Sequence, residues 1–241
     1  MGVRGKYCYS VLYLFTKNLI IMLKQLTPLE RILLLSIGFT LSLLAARALL
    51  TNTLTYFFYP WNLFLAVMPY LFSRKLQHAK NGMKSWLLIA GWLLFFPNAP
   101  YLITDVFHFE ERFPVPKWYD LILVVSGAWN GLMLGIISLM RVEQFLRLYI
   151  QPKMVQLSCV LFALLCGYGV YIGRYWRFNS WDVVSQPESL FMASARSIIR
   201  PHHNIQLWAF TIAFAALFYT IYLTIKQLVF LNSEWAVKGR D

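Results

Sequence analysis

Two polar clusters in an otherwise apolar chain hold residue types that could bind or transform a ligand. The first cluster is FFPNAPYLITDVFHF, residues 95–109, with the polar side chains of Asn98, Tyr101, Asp105 and His108. If this segment continues as a helix, the four positions lie within an arc of about 80° and share one face. An aspartate and a histidine can act together as general acid and base, so Asp105 and His108 are the candidate catalytic residues.

The second cluster is GRYWRFNSWD, residues 173–182, which contains Arg174, Arg177, Asn179 and Asp182. The two arginines are three residues apart and can share a helix face, where they would bind a phosphate or carboxylate through paired hydrogen bonds. Asp182 could neutralise one of them. The alternative is an interfacial anchor, with the arginines on lipid phosphates and the tryptophans in the aromatic belt.

Metal and cofactor chemistry lack a matching motif. Asp105, His108 and Asp182 could supply metal ligands, but the chain contains neither HExxH nor a paired CxxC. The chain also has no GxSxG motif and no dinucleotide fingerprint, so the sequence predicts no metal site and no cofactor. Its three cysteines are read as small buried apolar residues: Cys8, Cys159 and Cys166.

The elements that must position these residues are membrane spans. The chain is 59% hydrophobic and 13% charged, against about 25% charged in soluble domains. Apolar runs of about 20 residues, the length that crosses a bilayer core, recur along it. The sequence predicts an all-α, polytopic transmembrane helical bundle with about six spans: 31–50, 54–72, 85–103, 118–140, 155–173 and 206–225.

Local signals define several features of these spans. Thr27-Pro-Leu-Glu30 is a capping box that starts the first span. Arg47, near its end, is expected to reach the interface. Pro97 and Pro100 each lack an amide hydrogen and leave carbonyl groups without partners, to which Asn98 could donate hydrogen bonds. The alternative is that these prolines simply end the third span.

Small residues predict where helices approach closely. Gly127, Gly131 and Gly135 recur every four residues on the fourth span, and Gly169 and Gly173 form a similar face on the fifth. Such faces allow close packing, so these two spans are expected to pack together. Asn130 lies within the fourth span and is expected to hydrogen-bond across helices, with a substrate contact as the alternative.

Charge predicts the orientation. The chain has a net charge of +12, and its Lys and Arg residues number five, four, three and three in 1–31, 73–84, 141–154 and 226–241. Because six spans would place these four segments on one side, both termini are predicted to be cytoplasmic. This distribution also argues against a nucleic-acid partner.

The predicted organisation has three parts. Residues 1–26 form an N-terminal extension or interfacial helix, 27–227 the six-span membrane domain, and 228–241 a cytoplasmic tail. The external segment 174–205 is expected to hold a short interfacial helix, started by a capping box at Ser185-Gln-Pro-Glu188, which lies on the membrane surface. Ser180 is a candidate N-cap in the same segment.

Three strings together, FFPNAPYLITDVFHF, AWNGLMLG and YIGRYWRFNSWDV, resemble the bacterial integral membrane family catalogued as domain of unknown function 1361. The resemblance covers roughly residues 30–225. It implies a multi-pass bacterial membrane protein and carries no catalytic role. The residues that match the pattern are Pro97, Asn98, Pro100, Tyr101, Asp105, His108, Asn130, Gly131, Arg174, Arg177, Asn179, Trp181 and Asp182.

The resulting hypothesis is a protein of the bacterial plasma (inner) membrane with a polar site near its external face. Asn98, Tyr101, Asp105 and His108 would form one wall, and the second cluster the other. The site would bind an anionic lipid or a lipid-linked head group. A membrane enzyme acting on a lipid and a small-solute transporter are the alternatives. Membrane lipids, a membrane-protein partner or a second copy of the chain are the expected partners.

Overall fold

The structure is a computed structural model that describes residues 26–80, 82–110 and 114–238, and only the backbone of His108 and of 232–238. The predicted N-terminal extension therefore lies, up to residue 25, outside the described residues. The described residues form only α-helices and 3₁₀ helices. The α-helices are α1 (Pro28–Thr51), α2 (Phe58–Leu76), α3 (Met83–Phe95), α4 (Asn98–Tyr101), α5 (Lys117–Leu146), α6 (Pro152–Tyr175), α7 (Asp182–Ser185), α8 (Pro187–Ile199) and α9 (Ile205–Lys238).

Five helical stretches in the described part of the chain are long and apolar enough to cross a membrane. They confirm the predicted polytopic helical bundle: Pro28–Thr51, Met83–Phe107, Lys117–Leu146, Pro152–Tyr175 and Pro201–Leu231. Each corresponds to a predicted span, extended by a few residues at one or both ends. The last helix continues to Lys238, through most of the segment predicted to be a tail.

The remaining predicted span, 54–72, corresponds to α2, which is not among the five. Two prolines and Asn62 lower its apolar content. Helix α2 nevertheless lies along α5. Near its start the Tyr59 hydroxyl donates to the Val124 carbonyl (3.5 Å), and near its end the Tyr70 hydroxyl accepts from Arg141 (3.0 Å). Helix α2 therefore lies beside α5 from the first of these contacts to the second.

The first helix begins as the capping box predicts. The Glu30 amide donates to the Thr27 hydroxyl (3.3 Å), and the Thr27 amide donates to the Glu30 carboxylate (2.9 Å). The prediction for Arg47, however, is wrong. Its side chain is buried against Asp120 of α5, with nitrogen–oxygen distances of 2.7 and 3.0 Å. Arg47 therefore pairs α1 with α5 instead of reaching the interface.

Helix α5 is shared by the two hydrophobic clusters of the bundle. One cluster packs α3, α6 and α9 around Trp92, Phe96 and Phe218. The other packs α1 and α2 around Tyr59 and Leu63. Large apolar side chains also cover the outward faces of the helices, as expected for surfaces in contact with lipid.

Gly131 and Gly135 of α5 and Gly169 of α6 face the segment between α3 and the 3₁₀ helix that follows α4, whereas Gly127 lies against Tyr59 of α2. A Cβ atom on Gly131 would lie 2.2 Å from the Ala99 carbonyl oxygen, and one on Gly169 would lie 2.5 Å from the Pro97 ring. The fourth and fifth spans were expected to pack closely on each other through these glycines. In the structure, each of them instead packs closely on the proline-containing segment.

A short helix at the end of the bundle where α6 finishes matches the predicted interfacial helix. Helix α8 has 13 residues and ends before Pro201, and its apolar side chains Phe191 and Ile199 are exposed. The predicted capping box is wrong: Gln186 is the N-cap and makes no side-chain cap hydrogen bond. The Ser185 hydroxyl instead donates to Asp182 (2.7 Å).

Candidate functional site

The candidate site is built on a break in the third membrane-length stretch. Helix α3 ends at Phe95, α4 covers Asn98–Tyr101, and a 3₁₀ helix follows over Leu102–His108. The amide of Ala99 donates to Phe96 (3.2 Å) instead of to the carbonyl four residues back. Carbonyl groups at the end of α3 therefore need other donors.

Two side chains supply these donors. The Asn98 amide donates to the Phe95 carbonyl (3.0 Å) and to the Ser180 hydroxyl (2.8 Å). The Ser180 hydroxyl in turn donates to the Leu94 carbonyl (3.2 Å). This confirms the predicted role of Asn98 at the prolines. It also corrects Ser180, which joins the break to the loop after α6 and is not an N-cap.

A cavity of about 280 Å³ lies beside this break, between α2, α6, the loop after α6 and Leu190 of α8. One part of its lining is apolar and includes Leu93, Leu165 and Ile172. Amide and phenol or hydroxyl groups form the polar part, from Asn62, Asn98, Tyr101, Asn179 and Ser180. The cavity thus brings together three of the residues predicted for the site, Asn98, Tyr101 and Asn179.

Asp105 and Arg174 form a separate buried ion pair. An Arg174 Nη2 atom lies 2.6 Å from Asp105 Oδ1, and the two side chains are 12% and 0% exposed. The guanidinium also donates to the Thr104 hydroxyl (2.7 and 3.0 Å) and lies 4.4 Å from the centre of the Tyr101 ring. The pair fixes the 3₁₀ helix to the end of α6, and Asp105 neutralises the charge of Arg174.

Arg177 is placed apart from Arg174. Helix α6 ends at Tyr175, and Arg177 has a left-handed backbone (φ 60°) and an exposed side chain. The expected shared face of the two arginines therefore does not form. The next two residues, Phe178 and Asn179, line the cavity, whereas Arg177 itself is not among the lining residues.

Asp182 supports the loop and not an arginine. Its carboxylate accepts hydrogen bonds from the backbone amide of Asn179 (2.6 Å) and from the Ser185 hydroxyl (2.7 Å). These hydrogen bonds stabilise the charged form and lower the pKa of the Asp182 carboxyl below its ordinary value. The hydrogen bond from its backbone amide to Asp182 helps to fix Asn179 in the lining of the cavity.

The proposed acid–base pair is only half described. His108 is the last residue of the 3₁₀ helix, and its side chain lies outside the described part. Asp105 is engaged by Arg174. Among the described residues, no group of three or more His, Cys, Asp or Glu side chains lies together in a way that could hold a metal ion.

Comparison with protein families assigns the chain to a family. A family model described as a protein of unknown function (DUF1361) matches residues 61–221. The chain belongs to the DUF1361 family. No curated protein and no solved structure matches it.

The DUF1361 segment contains the whole candidate site. Every residue that lines the cavity, from Trp61 to Leu190, lies within 61–221, and so do Asp105 and Arg174. Helix α1 lies before the segment. It is joined to α5 by the Arg47–Asp120 pair and by Asn130, whose amide donates to the Ser36 carbonyl (3.1 Å) and the Thr40 hydroxyl (2.8 Å). This confirms the predicted interhelical role of Asn130.

Sequence reasoning missed two cavity-lining positions. Asn62 was considered only as a polar group that a transporter would need at the membrane midplane, and Ser180 only as a helix cap. A signal for Ser180 was its place in the second polar cluster. Asn62 had a weaker signal, an amide side chain inside a membrane-length segment.

Proposed function

We propose that this DUF1361 protein binds a membrane lipid in the cavity beside the proline break, with the head group at the polar part and an acyl chain along the apolar part. The observation that carries the proposal is the mixed lining of one cavity, which combines amide and hydroxyl groups with leucine and isoleucine side chains. Ligand pockets commonly combine an apolar lining with a few placed polar groups.

The size of the cavity favours part of a lipid over a whole one. At about 280 Å³ it lies just below the range of about 300 to 1,000 Å³ typical of small-molecule sites. A lipid that lies at the protein surface with one chain segment and its head group inside would match this volume. The remaining chain would stay in the bilayer.

Arg177 supports an anionic head group. Its side chain is exposed and precedes two cavity-lining residues, whereas the charge of Arg174 is already balanced by Asp105. Both amide hydrogens of Asn98 are already donated to Phe95 and Ser180, so an anionic group would lie between Arg177 and Asn179. Asp105 and Arg174 act as positioning residues, because they hold the 3₁₀ helix and α6 together beside the cavity.

The orientation of the protein is part of the proposal. The ends of α2 and α5, which carry Arg74, Lys75, Arg141 and Arg147, lie away from the cavity. The positive-inside rule favours this basic end in the cytoplasm. The cavity would then open at the external side of a bacterial inner membrane, and both termini would be cytoplasmic.

Native mass spectrometry of the purified protein tests lipid binding. Leu190 lines the cavity from α8, so Leu190→Trp is expected to fill it and remove the bound lipid. Ser189→Trp adds the same side chain at an exposed neighbouring position outside the lining and is the matched control. Arg177→Gln is expected to retain neutral lipids and to lose selectivity for anionic ones.

Two outcomes would contradict the proposal. One is that the wild-type protein, after purification and a detergent exchange, retains no bound lipid. The other is equal lipid retention by Leu190→Trp and Ser189→Trp. Chemical change of the bound lipid over time would support the alternative of a lipid-modifying enzyme that uses the same cavity.

A further inference from the structure

A second surface joins apolar and basic side chains at the other end of the bundle. The last three turns of α2 line a groove of about 440 Å³, formed by Met68, Leu71, Phe72, Arg74, Lys75 and His78. The groove begins at Met68, one helical turn beyond Leu65, the last α2 residue that lines the cavity, and the two sites share no lining residue. It is called the α2 groove below.

Helical spacing gives the α2 groove a direction. Met68, Leu71, Phe72 and Lys75 follow one another at intervals of three, one and three residues, so they share one face of α2. The face changes from apolar to basic towards the helix end, over about 15 Å from residue 68 to residue 78 at 1.5 Å per residue. This length suits the upper part of an acyl chain followed by a head group.

Helix α3 packs against Phe72, one of the apolar side chains that line the α2 groove. Phe72 lies against Gly91, where an added Cβ atom would be 2.9 Å from the ring, and it stacks on Phe95 with ring centres 5.9 Å apart. The ring is thus fixed between the two helices. A chain lying along Met68 and Leu71 would meet a rigid apolar wall.

The acidic groups at this end are already neutralised. Glu30 is buried and bound by Arg74 (3.1 Å) and by the Tyr70 hydroxyl (3.2 Å). Glu143 is buried and bound by Arg147 (2.7 Å) and by Lys226. Among the described side chains at this end, these pairs leave an excess of exposed positive charge.

Two basic side chains of the α2 groove remain available to a ligand. Within the described part of the chain, neither the Lys75 ammonium group nor the His78 ring has a hydrogen-bond or ion-pair partner. Arg74, although paired with Glu30, is 45% exposed beside them. A phosphate could therefore bind here without breaking an existing contact of Lys75 or His78.

We propose that the α2 groove binds an anionic phospholipid, with its phosphate between Lys75 and His78 and one acyl chain along Met68, Leu71 and Phe72. Basic pockets between transmembrane helices recognise such head groups by charge, and the apolar wall adds contact with the chain. This site shares no lining residue with the cavity, and its basic groups stand at the end of α2, away from the proline break.

The test compares lipid binding in nanodiscs of phosphatidylcholine with and without phosphatidylglycerol. Native mass spectrometry counts the phosphatidylglycerol molecules that the released protein retains, and the unfolding temperature is measured alongside. The double substitution Lys75→Gln with His78→Gln is expected to remove about one retained phosphatidylglycerol molecule. It is also expected to remove most of the rise in unfolding temperature that phosphatidylglycerol causes in the wild type. Leu71→Gln, which places an amide on the apolar wall, is expected to weaken retention without changing charge.

Controls separate this site from diffuse attraction and from the cavity. Lys153→Gln removes one positive charge at the exposed start of α6, outside the α2 groove, and is expected to behave like the wild type. Retention in the α2 groove is expected to persist in Leu190→Trp, which tests the cavity. An equal loss in Lys153→Gln and the double variant, or no preference for phosphatidylglycerol over phosphatidylcholine, would overturn the proposal.

Discussion

At the scale of single residues, the end of the bundle beside the cavity is held by buried charges. Asp105 with Arg174 and Asp120 with Arg47 each join residues about 70 positions apart, and three of the four side chains are almost completely buried. A charge buried in this way is costly unless its partner stays in place. Asp105 and Arg174 are therefore coupled, and a change in one is felt through the other.

The Asp105–Arg174 pair can be tested by a double-mutant cycle. Asp105→Asn and Arg174→Gln are each expected to lower the free energy of unfolding by about 3 to 5 kcal/mol, because each leaves one buried charge without its partner. The double variant is expected to cost clearly less than the sum of the two. Unfolding of the purified protein in detergent measures all three.

Glu188→Gln is the control for this cycle, since Glu188 is an exposed acid on the same side of the bundle. It is expected to change stability by less than about 0.5 kcal/mol. Strict additivity of Asp105→Asn and Arg174→Gln would contradict a direct coupling between the two side chains.

At the scale of elements, the proline break is the segment on which α5 and α6 pack. Pro97 lies against Gly169 of α6, Pro100 against Gly135 of α5, and the Ala99 carbonyl against Gly131. The glycines accept a segment whose backbone is irregular and whose proline rings project sideways. The position of the cavity follows from this docking, because Asn98 and Tyr101 belong to the docked segment.

A pair of glycine substitutions tests the docking. Gly131→Ala would place a Cβ atom 2.2 Å from the Ala99 oxygen, so α5 and the break must separate, at an expected cost of about 1 to 3 kcal/mol in unfolding free energy. Gly38→Ala in α1 meets no atom within 4 Å and is expected to be neutral or stabilising by up to about 1 kcal/mol.

The two substitutions are compared by thermal unfolding in detergent and by lipid retention. Gly131→Ala is expected to reduce retention in the cavity, since the break carries part of the lining. Equal stability of Gly131→Ala and Gly38→Ala would show that the helices can separate here without cost, contrary to the geometry.

At the scale of the whole molecule, the basic ends of α2 and α5 and the cavity lie at opposite ends of the bundle. The Glu30–Arg74 and Glu143–Lys226 pairs bring the start of α1 to the end of α2, and the end of α5 to α9, at the basic end. The Arg47–Asp120 pair brings the end of α1 to the start of α5 at the other end. Since α2 follows α5 between these ends, the part of the chain that the structure describes passes along the bundle six times.

Cysteine labelling tests which end faces outwards. In a background with Cys8, Cys159 and Cys166 changed to alanine, Ser189→Cys is expected to react with a membrane-impermeant maleimide on intact cells. Lys80→Cys, an exposed position in the loop after α2, is expected to react only after the membrane is permeabilised. The reverse pattern would place the basic end outside and the cavity in the cytoplasm.

Composition and short patterns were enough to predict the class of protein and much of its local structure. The length and apolar content of a run can be read directly from the sequence. Five of the six predicted spans therefore meet the length and composition expected of a membrane helix. The capping box at Thr27 and Glu30 and the donor role of Asn98 also formed as predicted, because their partners lie three residues away. The three polar strings indicated the family correctly.

Contacts between distant segments required the folded chain. Asn98 meets Ser180 across 82 residues, and Arg174 meets Asp105 across 69, because packing makes α6 and its following loop neighbours of the proline break. The sequence placed both arginines on one face, but α6 ends before Arg177, and Arg174 turns inwards to a buried carboxylate. Residue types and local spacing determine which segments enter the membrane and where a helix starts or breaks, whereas helix packing determines which charges neutralise each other and which polar groups remain to line a cavity.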